Sequence, residues 1–298
     1  MTDPLSEVVT LLQPQAAFSK VVNGAGRWRV RRTELGRPFY CVVLEGSCQL
    51  VMEGREPLVL LAGDFVLIPA AHNFATSSID PPDDGPDAPP IILPSGEFRL
   101  GTLEGPPQVR MMVGYCVFGS PDAAILVSLL PQLVHVRGEQ RLATLVQLVN
   151  DESRGQRPAR ELILTRLLEV LLIEALRSSA DTIESPGLLR GLADPRLAVA
   201  IRCMHELPTH PWTVAHLAKQ AALSRSAFFE RFNRAVGVTP MEYLLAWRMA
   251  LAKKLLRNQG VPVADVAERV GYSSASTFSV AFSRYVGMPP ARYARERE

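Results

Sequence analysis

Between Phe39 and Pro69 the apolar residues come in short runs broken by glycine. FYCVVLEG, CQLVMEG and PLVLLAGDFVLIP are β-rich and are cut at Gly46, Gly54 and Gly63, which predicts strands joined by turns. Strand-like stretches return at FRLGTLEG and VRMMVGYCVFG. Between the two groups, SSIDPPDDGPDAPPIILPSGE holds six prolines from Pro81 to Pro94 and predicts a surface loop. Short strands following one another without a helical period predict an all-β barrel or sandwich.

From about Gln140 the period becomes helical. ARELILTRLLEVLLIEALRSS places its polar residues mainly at Glu161, Thr165 and Glu169 and at Arg166, Glu174 and Arg177. The remaining apolar arc is wide, so this helix packs on more than one side. Either a subunit interface or burial within its own chain accounts for it. SSADTIESPGLLRGLADP is the natural boundary, and from Asp194 onward everything reads as helix and turn.

The last hundred residues repeat themselves. VAHLAKQAALSRSAFFERFNRAVGVTPMEY, from Val214, aligns with VADVAERVGYSSASTFSVAFSRYVGMPPARY, from Val263. Ala218, Phe228, Phe232, Gly237, Pro240 and Tyr243 match Ala267, Phe278, Phe282, Gly287, Pro290 and Tyr293. Each copy has the size of a helix-turn-helix. Ser224 is a good N-cap, so a helix runs from Arg225 to about Val236. Phe228 and Phe232, four apart, share the face that anchors this helix, as Phe278 and Phe282 do in the second copy. The other face is free to enter a DNA major groove. Thr239-Pro240-Met241-Glu242 starts a further helix, through about Arg257, that holds the two units apart.

These stretches resemble the AraC/XylS family of bacterial transcription regulators over about residues 196–298. Arg248 sits where such proteins usually carry a linker-helix arginine. GDFVLIPAAH, Gly63 to His72, resembles the second motif of the family's cupin-type sensing domain. The resemblance implies an α+β multidomain chain: a cupin-like β-barrel at 1–125, connecting and dimerising helices at 126–193, and an all-α double helix-turn-helix at 194–298. It implies a regulator that binds promoter double-stranded DNA, forms a homodimer, answers a small-molecule or redox signal and can meet RNA polymerase. The candidate DNA-binding residues are Arg225, Ser226, Phe229, Glu230, Asn233 and Arg234 in the first unit. In the second they are Ser274, Ser276, Ser279, Val280, Ser283 and Arg284.

One departure bears on recognition. Many relatives carry an arginine on each reading face that can grip guanine; here those positions are Glu230 and Val280. Glu230 can accept from cytosine N4 or pair with Arg234, and Phe229 can lie against a thymine methyl. The second face offers hydroxyls and a methyl surface. Direct readout is therefore expected to be stronger in the first unit, with Arg225, Arg234 and Arg284 holding phosphates. A protein that binds DNA with little sequence preference is the alternative.

Composition sharpens this picture. From Ile201 to the end there are 14 Lys and Arg against 7 Asp and Glu, whereas the whole chain carries a net charge of only +2. A basic C-terminal third behind an acidic remainder suits a polyanion partner. The N-terminus, MTDPLSEVV, has no signal-like pattern, and no run of 18 apolar residues occurs. A cytoplasmic protein without membrane association is expected. A cupin can also be a metal enzyme. Counted from Gly46, the family's first-motif ligand positions fall near Thr33, Leu35 and Phe39, none a suitable donor, which leaves only His72. Neither an enzyme nor a bound cofactor or metal is expected. Tyr40, Cys41, His72 and Tyr115 are candidates for a ligand pocket. Cys41, Cys48 and Cys116 are candidates for redox sensing or plain core residues. On one straight strand, Cys41 and Cys48 would face opposite sides, so joining them would need a bend near Gly46.

Overall fold

A computed structural model describes residues 3–32, 36–71, 73–83, 89–94, 96–119, 123–127, 130–154, 157–178, 186–257 and 261–295. Contacts divide the chain into two compact units. One comprises Met1–Leu12, Ser120–Leu130 and Glu184–Glu298; the other comprises Gln13–Gly119 and Pro131–Ile183. This differs from the three consecutive segments expected. The intervening helices group with the sheet, and the first residues group with the C-terminal helices.

In chain order the helices begin with α1 (Pro4–Leu12) and α2 (Ala123–Val127), both in the C-terminal unit. The sheet-bearing unit contains β1 (Pro14–Ala25), β2 (Arg29–Arg32), β3 (Phe39–Met52), β4 (Leu58–Leu61) and β5 (Phe65–Ile68). It continues with β6 (Phe74–Ser77), β7 (Ile91–Ile92), β8 (Phe98–Gly101), β9 (Val109–Phe118) and β10 (Val134–Val136). Helices α3 (Gln140–Arg154) and α4 (Arg160–Ser178) complete it. The main path of the sheet is β10-β5-β3-β9-β1-β8-β7, with β4 and β6 on the far half of β3 and β2 on β6.

Strand β3 makes this sheet curl. Its first half, Phe39 to Val43, lies between β5 and β9, and its second half pairs β4 and β6. The pairing with β9 shifts between Val43 and Glu45, and Gly46 follows at φ +75°. This bulge changes the parity of the strand. Phe39, Cys41 and Val43 point into the core before it, and Cys48 and Leu50 point into the same core after it. The opposite-face reading for a straight strand therefore does not apply: Cys41 and Cys48 share one core.

The sequence motif around Gly63 also finds its reason. Buried Asp64 accepts a hydrogen bond at Oδ2 from the Leu61 amide at 3.1 Å, and the same oxygen bonds His135 Nε2 at 3.0 Å, which ties the turn before β5 to β10. Helix α4 buries Leu164, Leu168, Leu171, Leu172, Ala175 and Leu176 and packs on α3 and β1. Leu162, Ile163 and Val170 remain exposed on the same helix, which accounts for the wide apolar arc.

The C-terminal unit adds α5 (Leu188–Ala193), α6 (Pro195–Glu206), α7 (Val214–Gln220), α8 (Arg225–Val236) and α9 (Pro240–Arg257). It ends with α10 (Val263–Arg269), α11 (Ala275–Val286) and α12 (Pro290–Tyr293). Helix α1 packs on α2 and α6, and α2 packs on α9. His205 of α6 fastens this arrangement. Its Nδ1 meets Glu7 Oε2 at 2.7 Å, its Nε2 meets the Tyr243 hydroxyl at 2.8 Å, and its ring stacks on Trp247 at 3.9 Å. Burial pulls the His205 pKa down, although Glu7 opposes the shift. A neutral ring that donates to Glu7 and accepts from Tyr243 satisfies both contacts.

Candidate nucleic-acid interface

The repeat read from sequence is a repeat of structure. Ser224 and Ser274 cap their helices by accepting from the amides of Ala227 and Thr277, and Gly237 and Gly287 close them in the left-handed conformation. Phe228, Phe232 and Tyr243 form a buried aromatic chain with centroids 5.6 and 5.8 Å apart. Phe278, Phe282 and Tyr293 repeat it at 5.4 and 5.5 Å. Burying these faces turns the opposite faces of α8 and α11 outward. Arg225, Ser226, Phe229, Glu230, Asn233 and Arg234 are all exposed on α8. On α11, Ser276 and Arg284 are exposed, Val280 is 71% exposed, and Ser279 and Ser283 are half-buried.

Details of bonding separate these hydroxyls. The Ser274 side chain is the cap of α11, and Ser279 Oγ donates to the Ala275 carbonyl at 2.7 Å. Both are engaged by their own helix, whereas among the described residues Ser276 meets only the Ser274 hydroxyl, at 3.0 Å. Among the described residues no ion pair joins Glu230 to Arg234. Arg231, absent from the candidates, bonds Asp194, whose carboxylate also caps α6 through the Arg196 and Leu197 amides. Those bonds hold the Asp194 pKa below its ordinary value against the opposing effect of burial. The dipeptide Asp194-Pro195 is a cap-and-N1 signature and could have signalled this anchor.

The two units are held in a fixed relation by α9, whose 18 residues span about 27 Å at 1.5 Å each. At its start, Thr239 and Glu242 form a reciprocal capping box. Along it, Arg248 Nε donates to the Pro208 carbonyl at 2.7 Å and Nη2 to the His210 carbonyl at 2.9 Å. The turn of the second unit presses against the same place. A Cβ on Gly271 would lie 2.8 Å from the Pro208 oxygen and 2.9 Å from Arg248 Nη2. Arg248 thus joins the loop after α6 to the second helix-turn-helix turn.

Gly271 adopts φ +83°, and its counterpart in the first unit is Ala222 at φ +51°. Each ends its helix with the same bond pair: Leu223 N to Ala218 O and Ala222 N to Lys219 O, repeated by Tyr272 to Ala267 and Gly271 to Glu268. Alanine is strained in this left-handed position. Ala222→Gly is expected to stabilise the chain by about 0.5–1 kcal/mol, read as a rise in the chemical-denaturation midpoint. A lower midpoint would contradict the strain.

The sheet-bearing unit has a small cavity among its described residues. The cavity, of about 20 Å³, is lined by Lys20, Arg32, Thr76, Phe39, Met111 and neighbouring apolar residues, room for about one water. Tyr40, Cys41 and Tyr115 do not line it: Tyr40 lies over Gly114, Cys41 is in the core, and Tyr115 packs on Phe39 at 5.4 Å. His72 lies outside the described residues. Lys20 and Arg32 escaped the sequence reading because β1 and β2 lack a clean alternation. Burial, then the Arg32 charge, pulls the Lys20 pKa down.

Cys41, Cys48 and Cys116 are free and buried. Burial pushes Cys41 well up and raises Cys48 and Cys116 to about 12. Thiolates, the reactive forms, are therefore scarce at neutral pH. Disulfide-exchange reagents at pH 7.5 are expected to modify these three thiols only as the chain unfolds. A fast phase mapped by mass spectrometry to any of them would show otherwise. Among the described residues, no three His, Cys, Asp or Glu gather as a metal site, and no helix is long and apolar enough to cross a membrane.

A family described as Cupin matches residues 3–181, and one described as a helix-turn-helix domain matches residues 217–296. A putative AraC-like transcription regulator of Streptomyces lividans is 36% identical, with 98% of each chain covered. A second, of Streptomyces antibioticus, is 34% identical with the same coverage. The transcriptional regulator AlkR of Acinetobacter baylyi is 28% identical over 99% of each chain.

Proposed function

We propose, for a chain that belongs to the AraC family of DNA-binding transcription regulators, that it reads a bipartite promoter site under the control of a small organic effector in its cupin half. The observation that carries the reading is the pair of outward faces on α8 and α11, held together by α9 and Arg248. Two such helices suit successive major-groove segments, roughly 34 Å apart. The first unit carries Glu230, Asn233 and Phe229 for base edges. The second offers Ser276 and the bare methyl surface of Val280. Arg225, Arg234 and Arg284 serve phosphates.

Lys20 and Arg32 at the cavity of the curled sheet support an effector bearing a negative charge, whose entry requires the surrounding side chains to part. The three thiols, held protonated by burial, favour such an effector over a redox signal. Exposed Leu162, Ile163 and Val170 on α4 support a homodimer through that helix. The protein would work in the cytoplasm, at the promoter, where RNA polymerase is a further partner.

The test is binding of the full chain to a randomised duplex library at two salt concentrations, with enriched sites sequenced. The expected result is a motif of two half-sites about one helical turn apart. Glu230→Ala relaxes one position of the first half-site by about 1–3 kcal/mol, and Ser276→Ala has a smaller effect. Equal losses from the two variants would sink the asymmetry. Binding that enriches no sequence and collapses with salt would instead favour phosphate-driven association, the reading suggested by the exposed Val280.

A further inference from the structure

We propose that the C-terminal unit has a ligand site of its own: the groove between α1 and α9 takes a small zwitterion with an apolar body, of the apolar amino-acid class. The groove has a volume of about 350 Å³ and is open to solvent, within the range of small-ligand sites, about 300–1,000 Å³. It is lined by Asp3, just before α1, and by Glu7 and Leu11 of α1, four residues apart and so on one helix face; from α9 it is lined by Trp247, Leu251 and Lys254.

The polar chemistry of the groove is segregated. The charged groups of α1 are carboxylates, and the polar groups of α9 are N–H donors. Each carboxylate has one oxygen engaged: Asp3 Oδ2 by Ser6 and Glu7 Oε2 by His205, at 2.6 and 2.7 Å. The other oxygens remain to accept. Asp3 and Lys254 do not close on each other, and Lys254 makes no ion pair among the described residues. Trp247 is fully buried, stacks on His205 at 3.9 Å and gives the groove an aromatic floor. A ligand ammonium meets the carboxylates, a ligand carboxylate meets Lys254, and an apolar side chain rests on Leu11 and Leu251. A plain anion would face two carboxylates against one ammonium. A plain cation would leave the Lys254 ammonium unmet.

Calorimetric titration of the full chain with L-leucine and L-phenylalanine tests this, alongside N-acetyl-L-leucine and L-leucinamide. The free amino acids are expected to bind saturably, and each capped analogue to bind at least about tenfold more weakly. Lys254→Gln, at an exposed position away from the reading helices, is expected to lower leucine affinity by a similar factor and to leave leucinamide affinity unchanged. No saturable binding of a free amino acid up to ~10 mM, equal affinity for the capped analogues, or unchanged leucine affinity in Lys254→Gln would each overturn the proposal.

Discussion

Phe282→Ala is expected to unfold the second helix-turn-helix and shrink the protected DNA to a single half-site. Phe282 is fully buried against Phe278 and Tyr293, in a core that also holds Met249, Leu256, Val266 and Val270. Truncating a buried phenylalanine costs about 3–5 kcal/mol, a large share of the 5–15 kcal/mol typical of a whole domain. Phe228, Phe232 and Tyr243 form their own chain of rings, so the first unit keeps its anchor. Hydroxyl-radical footprinting and helical circular dichroism on heating read the two consequences together. Val280→Ala, at an exposed position, is the control for the melting curve alone and stays within about 0.5 kcal/mol. A two-half-site footprint with an unchanged melting curve in Phe282→Ala would refute the anchoring role.

Gly46→Ala is expected to destabilise the curled sheet by about 3 kcal/mol or more. Two effects combine there. The residue sits at φ +75°, and an added Cβ would lie 1.8 Å from the Gln108 carbonyl oxygen, a backbone atom that cannot swing away. Gly54 separates the two effects, because it shares the conformation, φ +74°, with nothing within 4 Å of the added carbon. Gly54→Ala should therefore cost only the conformational part, about 1 kcal/mol. Denaturant midpoints of the two variants decide it. If Gly46→Ala is no worse than Gly54→Ala, the close approach to Gln108 is not what demands glycine, and the bulge that turns β3 has another support.

Much of the DNA-binding face was legible in the residues themselves. Serine caps, paired phenylalanines four apart and closing glycines are local signals, because a helix brings residues three and four apart together whatever surrounds it. Once Phe228 and Phe232 are assigned to the inside, Phe229, Glu230 and Asn233 are left outside by geometry alone. Duplication strengthened the reading, since the same positions recur after Val263. Which exposed hydroxyls remain available was not legible. Ser279 and Ser276 read alike in sequence, and only the bond from Ser279 to the Ala275 carbonyl separates them.

What lies far apart in the chain was decided by tertiary structure. Glu7 and His205 are 198 residues apart, and nothing local announces that the first helix joins the C-terminal unit. Lys20 and Arg32 meet at the cavity only because β1 and β2 enter the curled sheet. Cys41 and Cys48 share a core because a bulge opposite β9 resets the alternation of β3. The sequence by itself determined the helices, their caps and the outward faces of a repeated motif, since these follow from the helical period. Pairing across strands and packing between distant helices depend on partners that sequence order does not bring together, so only the folded chain could place them.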